Sequence, residues 1–227
     1  MYRALIINLG FDEKFAIRAL TRHGISKGDR VILLTGPRVE RVEKAASYVR
    51  VFLDKYHSGE AHLELVSLPI GDFYDAVSEA MKIIEKVLDA DEIIVNLSGG
   101  MRITTLAIFT ALLFMNPENL VLELESEDTS IYLTLDVKVL RSLLTIKELS
   151  EEKKDILKVL MKRDGSITVH ELSSMFNRDE STIRKHLREL KDKGYIIIKK
   201  RKPLIVEKHP VLKILFKEDK ERDHLRE

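Results

Sequence analysis

The chain has 227 residues, 44% of them hydrophobic, enough to bury one sizeable core and a small second one. It carries no cysteine, which excludes disulfides, thiolate metal sites and cysteine nucleophiles, and its longest apolar stretch, near Leu106 to Met115, is too short to span a membrane. Net charge is only +1, yet a cut at Lys147 leaves 17 basic against 21 acidic side chains before it and 21 against 16 after it, which predicts a basic interaction domain at the C-terminal end.

Met1 to Asn8 shows no signal-peptide cleavage pattern and reads as a strand, so the expected location is cytoplasmic. From there, short β-branched runs alternate with longer helical patterns over the first 125 residues, the signature of βαβ units and a parallel sheet. Strands are predicted over Ala4 to Leu9, Arg30 to Leu34, Leu63 to Leu68, Glu92 to Leu97 and Leu120 to Glu125. Helices are predicted near Glu13 to His23, Glu40 to Tyr56, Phe73 to Leu88 and Met101 to Met115. Ser130 to Leu135 can pair with the fifth strand as an antiparallel edge. The fold class is therefore α/β, a Rossmann-like parallel sheet over 1–136, followed by a helical linker over 137–149 and a winged helix-turn-helix domain over 150–227 whose charged end, from Lys217, is a frayed tail.

From Ser150 the order is three helices and then two strands around a basic turn. Ser150 before Glu151 and Glu152 marks a helix start, its hydroxyl placed to cap orphan amides. Thr168-Val169-His170-Glu171 is a capping box, with Val169, Leu172, Met175 and Phe176 expected to face inward. In the third helix Ile183, Leu187 and Leu190 form the buried face, while Ser181, Thr182, Arg184, Lys185 and Arg188 are presented on the other side for a major groove. Lys199, Lys200, Arg201 and Lys202 at the hairpin tip suit a wing resting on phosphates. Double-stranded promoter DNA is the expected partner; a solvated basic face and a protein-binding winged helix are the competing readings. No metal site is predicted, because His186 has no second ligand at suitable spacing and reads as a packing residue.

In an open α/β sheet, ligands bind beyond the carboxyl ends of the strands at the point where strand order reverses, between the first and fourth strands for the order 3-2-1-4-5. Gly10-Phe11-Asp12 follows the first strand there, and Asn96-Leu97-Ser98-Gly99-Gly100-Met101-Arg102 follows the fourth. Gly99 and Gly100 permit a tight turn and close approach of a ligand, and the helix behind them offers free amides. Arg102 in the first helical turn is a cation where the dipole disfavours one, so an anion is its expected compensation, and Ser98 can donate to a phosphate oxygen. Alternatively, Gly-Gly merely shapes a strand-to-helix turn. Thr35-Gly36-Pro37, after the second strand, completes the candidate site. Neither G-x-G-x-x-G nor G-x-x-x-x-G-K-[ST] occurs, which disfavours ordinary NAD or ATP binding.

With these motifs the chain resembles the CRISPR-associated Rossmann-fold (CARF) regulators with a C-terminal winged helix, the archaeal type-I-associated group. The resemblance rests on Gly10-Phe11-Asp12, on Leu97-Ser98-Gly99-Gly100-Met101-Arg102 and on the order of sensor, linker and winged helix. It implies an antiviral-defence regulator acting on CRISPR-locus promoters, with cyclic oligoadenylate, usually the tetramer, held across a homodimer and no cofactor beyond that ligand. By the match, Gly10, Phe11, Asp12, Ser98, Gly99, Gly100, Met101 and Arg102 line the site. A two-fold symmetric cyclic tetra-adenylate suits an isologous dimer that offers the same loop twice.

Three rival functions stay open at this level. Some sensors of this kind resemble ring nucleases, in which Ser98 and Arg102 would position and stabilise attack of a 2′-hydroxyl on the adjacent phosphate. Arg18 and His23 match the R-x4-H spacing of CARF-linked ribonucleases, but on the first Rossmann helix rather than in a C-terminal domain. A redox-sensing repressor would place its winged helix first and carry the glycine fingerprint; this chain departs from both.

Overall fold

The computed structural model describes residues 2–57, 61–115, 117 and 119–215. Contacts divide the chain into two compact units, Met1–Val137 and Lys138–Glu227. The predicted tail from Lys217 lies outside the described residues.

In the first unit, β1 (Arg3–Asn8), β2 (Arg30–Thr35), β3 (His62–Ser67), β4 (Glu92–Asn96), β5 (Leu120–Glu125) and β6 (Tyr132–Leu135) form one sheet in the order β3-β2-β1-β4-β5-β6. Its first five strands are parallel, and β6 runs antiparallel to β5, pairing Leu122 with Leu135 and Glu125 with Tyr132. The strand interiors are buried on both faces, as expected where helices cover a parallel sheet on each side. Ala4, Ile6, Ile93 and Val95 point to one core with α3 (Phe73–Glu85) and α4 (Arg102–Phe114), whereas Leu5, Ile7 and Ile94 point to the other with α1 (Lys14–His23) and α2 (Glu40–Tyr56).

The element bounds differ from the sequence expectation by a residue at most, except in β6, which begins at Tyr132 and not Ser130, and in α3. That helix ends at Glu85 instead of Leu88, because the chain tightens through i→i+3 bonds from Val87 to Ile84 and from Ala90 to Val87, which tuck Val87 and Ala90 into the core. α4 has no polar face: Leu106 is 55% exposed and Phe114 72%, beside a row of buried alanine, isoleucine and leucine.

The second unit begins within α5 (Val137–Leu144) and continues through a 3₁₀ turn (Ile146–Glu148), α6 (Glu151–Lys162), β7 (Ile167–Thr168), α7 (Val169–Phe176), α8 (Glu180–Asp192), β8 (Ile196–Arg201), β9 (Leu204–Lys208) and α9 (Leu212–Leu215). Its sheet has three strands in the order β7-β9-β8; sequence reading misses β7, whose two residues are too few to show a period. The core takes Ile156, Leu157 and Leu160 from α6, Val169 and Leu172 from α7, and Ile183, Leu187 and Leu190 from α8. The Thr168–Glu171 capping box forms in full. Two expectations fail. Ser150 makes no side-chain cap at the start of α6, and Met175 is 60% exposed because Leu172 and Phe176 fill the inward positions of so short a helix. The segment read as a linker also packs: Val139 and Leu149 are buried in this core, with Leu143 and Ile146 against it.

Candidate functional site

The ends of β1, β2 and β4 converge on a cleft of about 620 Å³, a volume typical of small-molecule sites. Gly10, Phe11, Thr35, Pro37, Gly100, Met101 and Arg102 line it, together with Leu9, Val39, Val42 and Ile103, which sequence reading did not select. The walls are mainly apolar, and the Arg41 guanidinium lies 4.6 Å from the Phe11 ring centroid. Arg102 is exposed and has no ion pair among the described residues. Met101 heads α4 without a side-chain cap; the first intrahelical bond is Thr105 N–H to Met101 O at 2.9 Å, so the amides before it have no partner within the helix. A cation and open helix amides therefore meet at the edge of an apolar cleft, an arrangement that suits an anionic group attached to a flat or apolar body.

The loops fit without room to spare. A Cβ on Gly10 would stand 3.1 Å from the Gly100 nitrogen, and one on Gly36 2.7 Å from the Met101 sulfur. Gly36 thus admits Met101 and is not itself part of the wall. Gly100 has φ +81°, a conformation that favours glycine.

Asp12, Asn96, Ser98 and Gly99 lie off the cleft wall. Asp12 accepts the Lys14 N–H at 2.9 Å, the chief reason its carboxyl is held below the usual range, and so serves the start of α1. Asn96 is fully buried: its Oδ1 accepts the Ser98 N–H at 3.1 Å, and its Nδ2 donates to Glu123 at 3.3 Å. Ser98 Oγ accepts the Glu125 N–H at 2.8 Å.

Beneath these two residues is a polar cluster that spacing alone does not reveal. Alternation in β5 sends Glu123 and Glu125 to the α1 side of the sheet, where both are nearly inaccessible. Glu123 Oε1 lies 2.6 Å from His23 Nε2 and accepts the Tyr132 hydroxyl at 2.5 Å; burial, and then that bond, push the phenol up to about 12. Glu125 pairs with Arg22 at 2.7 Å and Arg18 at 3.2 Å. The residues of the R-x4-H match are thus engaged with buried acids of the sheet.

In the second unit, Ser181, Arg184, Lys185 and Arg188 are exposed on α8 and Thr182 is half-buried. Lys199, Lys200, Arg201 and Lys202 are exposed at the β8–β9 tip, and a groove between helix and hairpin is lined by Arg184, Arg188, Lys191, Lys199, Lys200 and Arg201 among others. Lys199 pairs with Glu207 at 2.9 Å and Arg184 with Glu180 at 3.0 Å. Arg188, Lys200, Arg201 and Lys202 make no ion pair among the described residues. His186 is packed, as expected, but the fold brings it an acid: its Nε2 is 3.2 Å from Glu152, at an angle too poor for a hydrogen bond.

A family model described as the Csa3 CRISPR-associated Rossmann-like domain matches residues 3–136, more than half of the chain. The chain belongs to this Csa3 family. An HTH domain model matches residues 152–203, so this Csa3-family chain joins a CRISPR-associated Rossmann-like domain to a helix-turn-helix domain. No curated protein sequence matches it. Among solved structures, the crystal structure of protein VC1899 from Vibrio cholerae is similar at 9% identity and a TM-score of 0.43, over 91% of this chain and 61% of that one. This chain therefore spans less than two thirds of that protein, and so distant a likeness carries no weight for function. Among the described residues no helix is long and apolar enough to cross a membrane.

Proposed function

We propose that this Csa3-family regulator binds cyclic tetra-adenylate with its Rossmann-like unit as a homodimer and thereby sets the affinity of its winged helix for CRISPR-locus promoter DNA. The observation that carries the reading is Arg102, without an ion pair among the described residues, at the uncapped start of α4 on the rim of an apolar cleft. Phosphate would take the Arg102 guanidinium and the helix amides, and a base would take the apolar wall of Phe11, Pro37, Val39 and Met101. The exposed apolar face of α4, with Leu106 and Phe114, supports association with a second copy, which would place two such clefts about one two-fold axis. The ligand changes operator binding only by as much as it prefers one state of the protein over the other.

Calorimetric titration of the full chain with cyclic tetra-adenylate tests the reading. Arg102→Ala is expected to weaken binding by about tenfold or more, the scale of one hydrogen bond to a charged group. Wild-type affinity in that variant sinks the phosphate assignment. Chromatography of the same mixtures decides between sensing and ring cleavage.

A further inference from the structure

We infer that Asn8, at the end of β1, is the positioning residue that holds the β4–α4 loop in its ligand-ready shape; the inference rests on the cleft reading above. Asn8 is 1% exposed, on the α4 side of the sheet, at a position where the alternation of β1 places Ala4 and Ile6 in an apolar core. A buried amide at such a point is costly unless every polar atom is satisfied. Here each one is. Asn8 Nδ2 donates to Gly99 O and to Thr105 Oγ1, both at 2.8 Å, and Asn8 Oδ1 lies 2.8 Å from the Thr104 hydroxyl. Thr105, whose oxygen accepts from Asn8, passes its own proton on to Met101 O at 3.1 Å, while the single Thr104 proton goes to Asn8 Oδ1 and leaves Met101 O, 2.7 Å away, to Thr105. One side chain thus ties Gly99 before the turn to Met101 after it.

The amide's orientation follows from its partners, because the carbonyl of Gly99 accepts only from a donor. The glycines complete the device. A Cβ on Gly100 would fall 2.2 Å from the Asn8 side chain, and one on Gly99 2.9 Å from the Asn8 carbonyl oxygen. Both glycines are therefore fitted to Asn8, and Gly100 also lines the cleft. Asn8 does not line the cleft, so it acts through the loop, fixing the amides that precede Thr105 before a ligand arrives.

The test is Asn8→Asp in the full chain, which keeps the shape but sets a carboxylate oxygen against Gly99 O. Two readouts are followed. Hydrogen exchange of unliganded protein is expected to speed up at residues 99–103 while the amides of β1 and β2 keep their wild-type rates, and affinity for cyclic tetra-adenylate is expected to fall by about 10- to 100-fold, the range typical when a supporting shell is lost. Unchanged exchange at 99–103 overturns the inference whatever the ligand. If Asn8→Asp does not fold, Thr104→Val and Thr104→Ser carry the test: the serine variant is expected to match wild type and the valine variant to loosen the loop, and equal behaviour of the two overturns the proposal. Failure of the cleft reading looks different, because Arg102→Ala would then bind cyclic tetra-adenylate as well, or as poorly, as wild type.

Discussion

Among the cations of α8, partner geometry separates residues that sequence spacing treats alike. Arg184 is tied to Glu180, which also lies 3.4 Å from His170, whereas Arg188 is unpaired among the described residues. A guanidinium must be free to form a bidentate contact with guanine, so Arg188→Ala is expected to cost about 1–3 kcal/mol of promoter binding and Arg184→Ala less. Glu180→Gln should tighten binding by releasing Arg184. Fluorescence anisotropy at fixed salt checks all three variants; an Arg184→Ala loss exceeding that of Arg188→Ala reverses the ranking. Glu171 yields a second prediction at this scale. Its carboxylate takes the Thr168 N–H at 2.8 Å, then the Thr168 hydroxyl and Arg163, which together lower it from 4.5 to about 2. A depressed acid stabilises the folded state fully above its ordinary value and loses that contribution as pH falls through the depressed one. Thermal melts of wild type and Glu171→Gln should therefore differ most above pH 4.5 and converge toward pH 2.

Elements were legible where hydrophobic period and length agreed. The five parallel strands follow from short β-branched runs set between longer helical patterns, and the three helix-turn-helix helices from i, i+3, i+4 spacing of apolar residues. Met175 fits that same period and still faces solvent, because an eight-residue helix has room for few inward positions. Candidate site residues were legible where glycine or a cation in the first turn of a helix marked them, as at Gly10, Gly100 and Arg102. Val39, Val42 and Ile103 carry no such mark, since an apolar wall looks like core in sequence. Glu123 and Glu125 were invisible for another reason: their partners on α1 are about a hundred residues away. At the end of α8, Gly194 has φ +78°, and a Cβ there would stand 2.6 Å from Val139 Cγ2. Gly194→Ala is thus expected to destabilise the second unit by more than about 1 kcal/mol, the ordinary penalty for a side chain at positive φ, because it also displaces α5. Chemical denaturation followed by far-ultraviolet dichroism measures it; a loss under 0.5 kcal/mol, roughly the size of an unremarkable surface change, counts against the packing of α5 on Gly194.

For the whole molecule the open matter is assembly. α4 exposes Leu106 and Phe114 on the helix whose first turn holds Arg102, so the proposed interface and ligand site share one element. Leu106→Asp with Phe114→Asp is expected to give monomers by light scattering and, because each ring would then meet one cleft only, to weaken cyclic tetra-adenylate binding by far more than the loss of a surface contact. A variant that stays dimeric removes α4 from the interface. The α5 segment also bears on how the protein comes apart. Tyr195, fully buried, donates its hydroxyl to Ser142 O, and Val137 and Val139, two positions apart, belong to the cores of different units. A protease or a gene truncation that cuts at Ser150, where the helix-turn-helix pattern starts, would strip a wall from the second unit and orphan a buried phenol; the natural seam for dissection is Lys138.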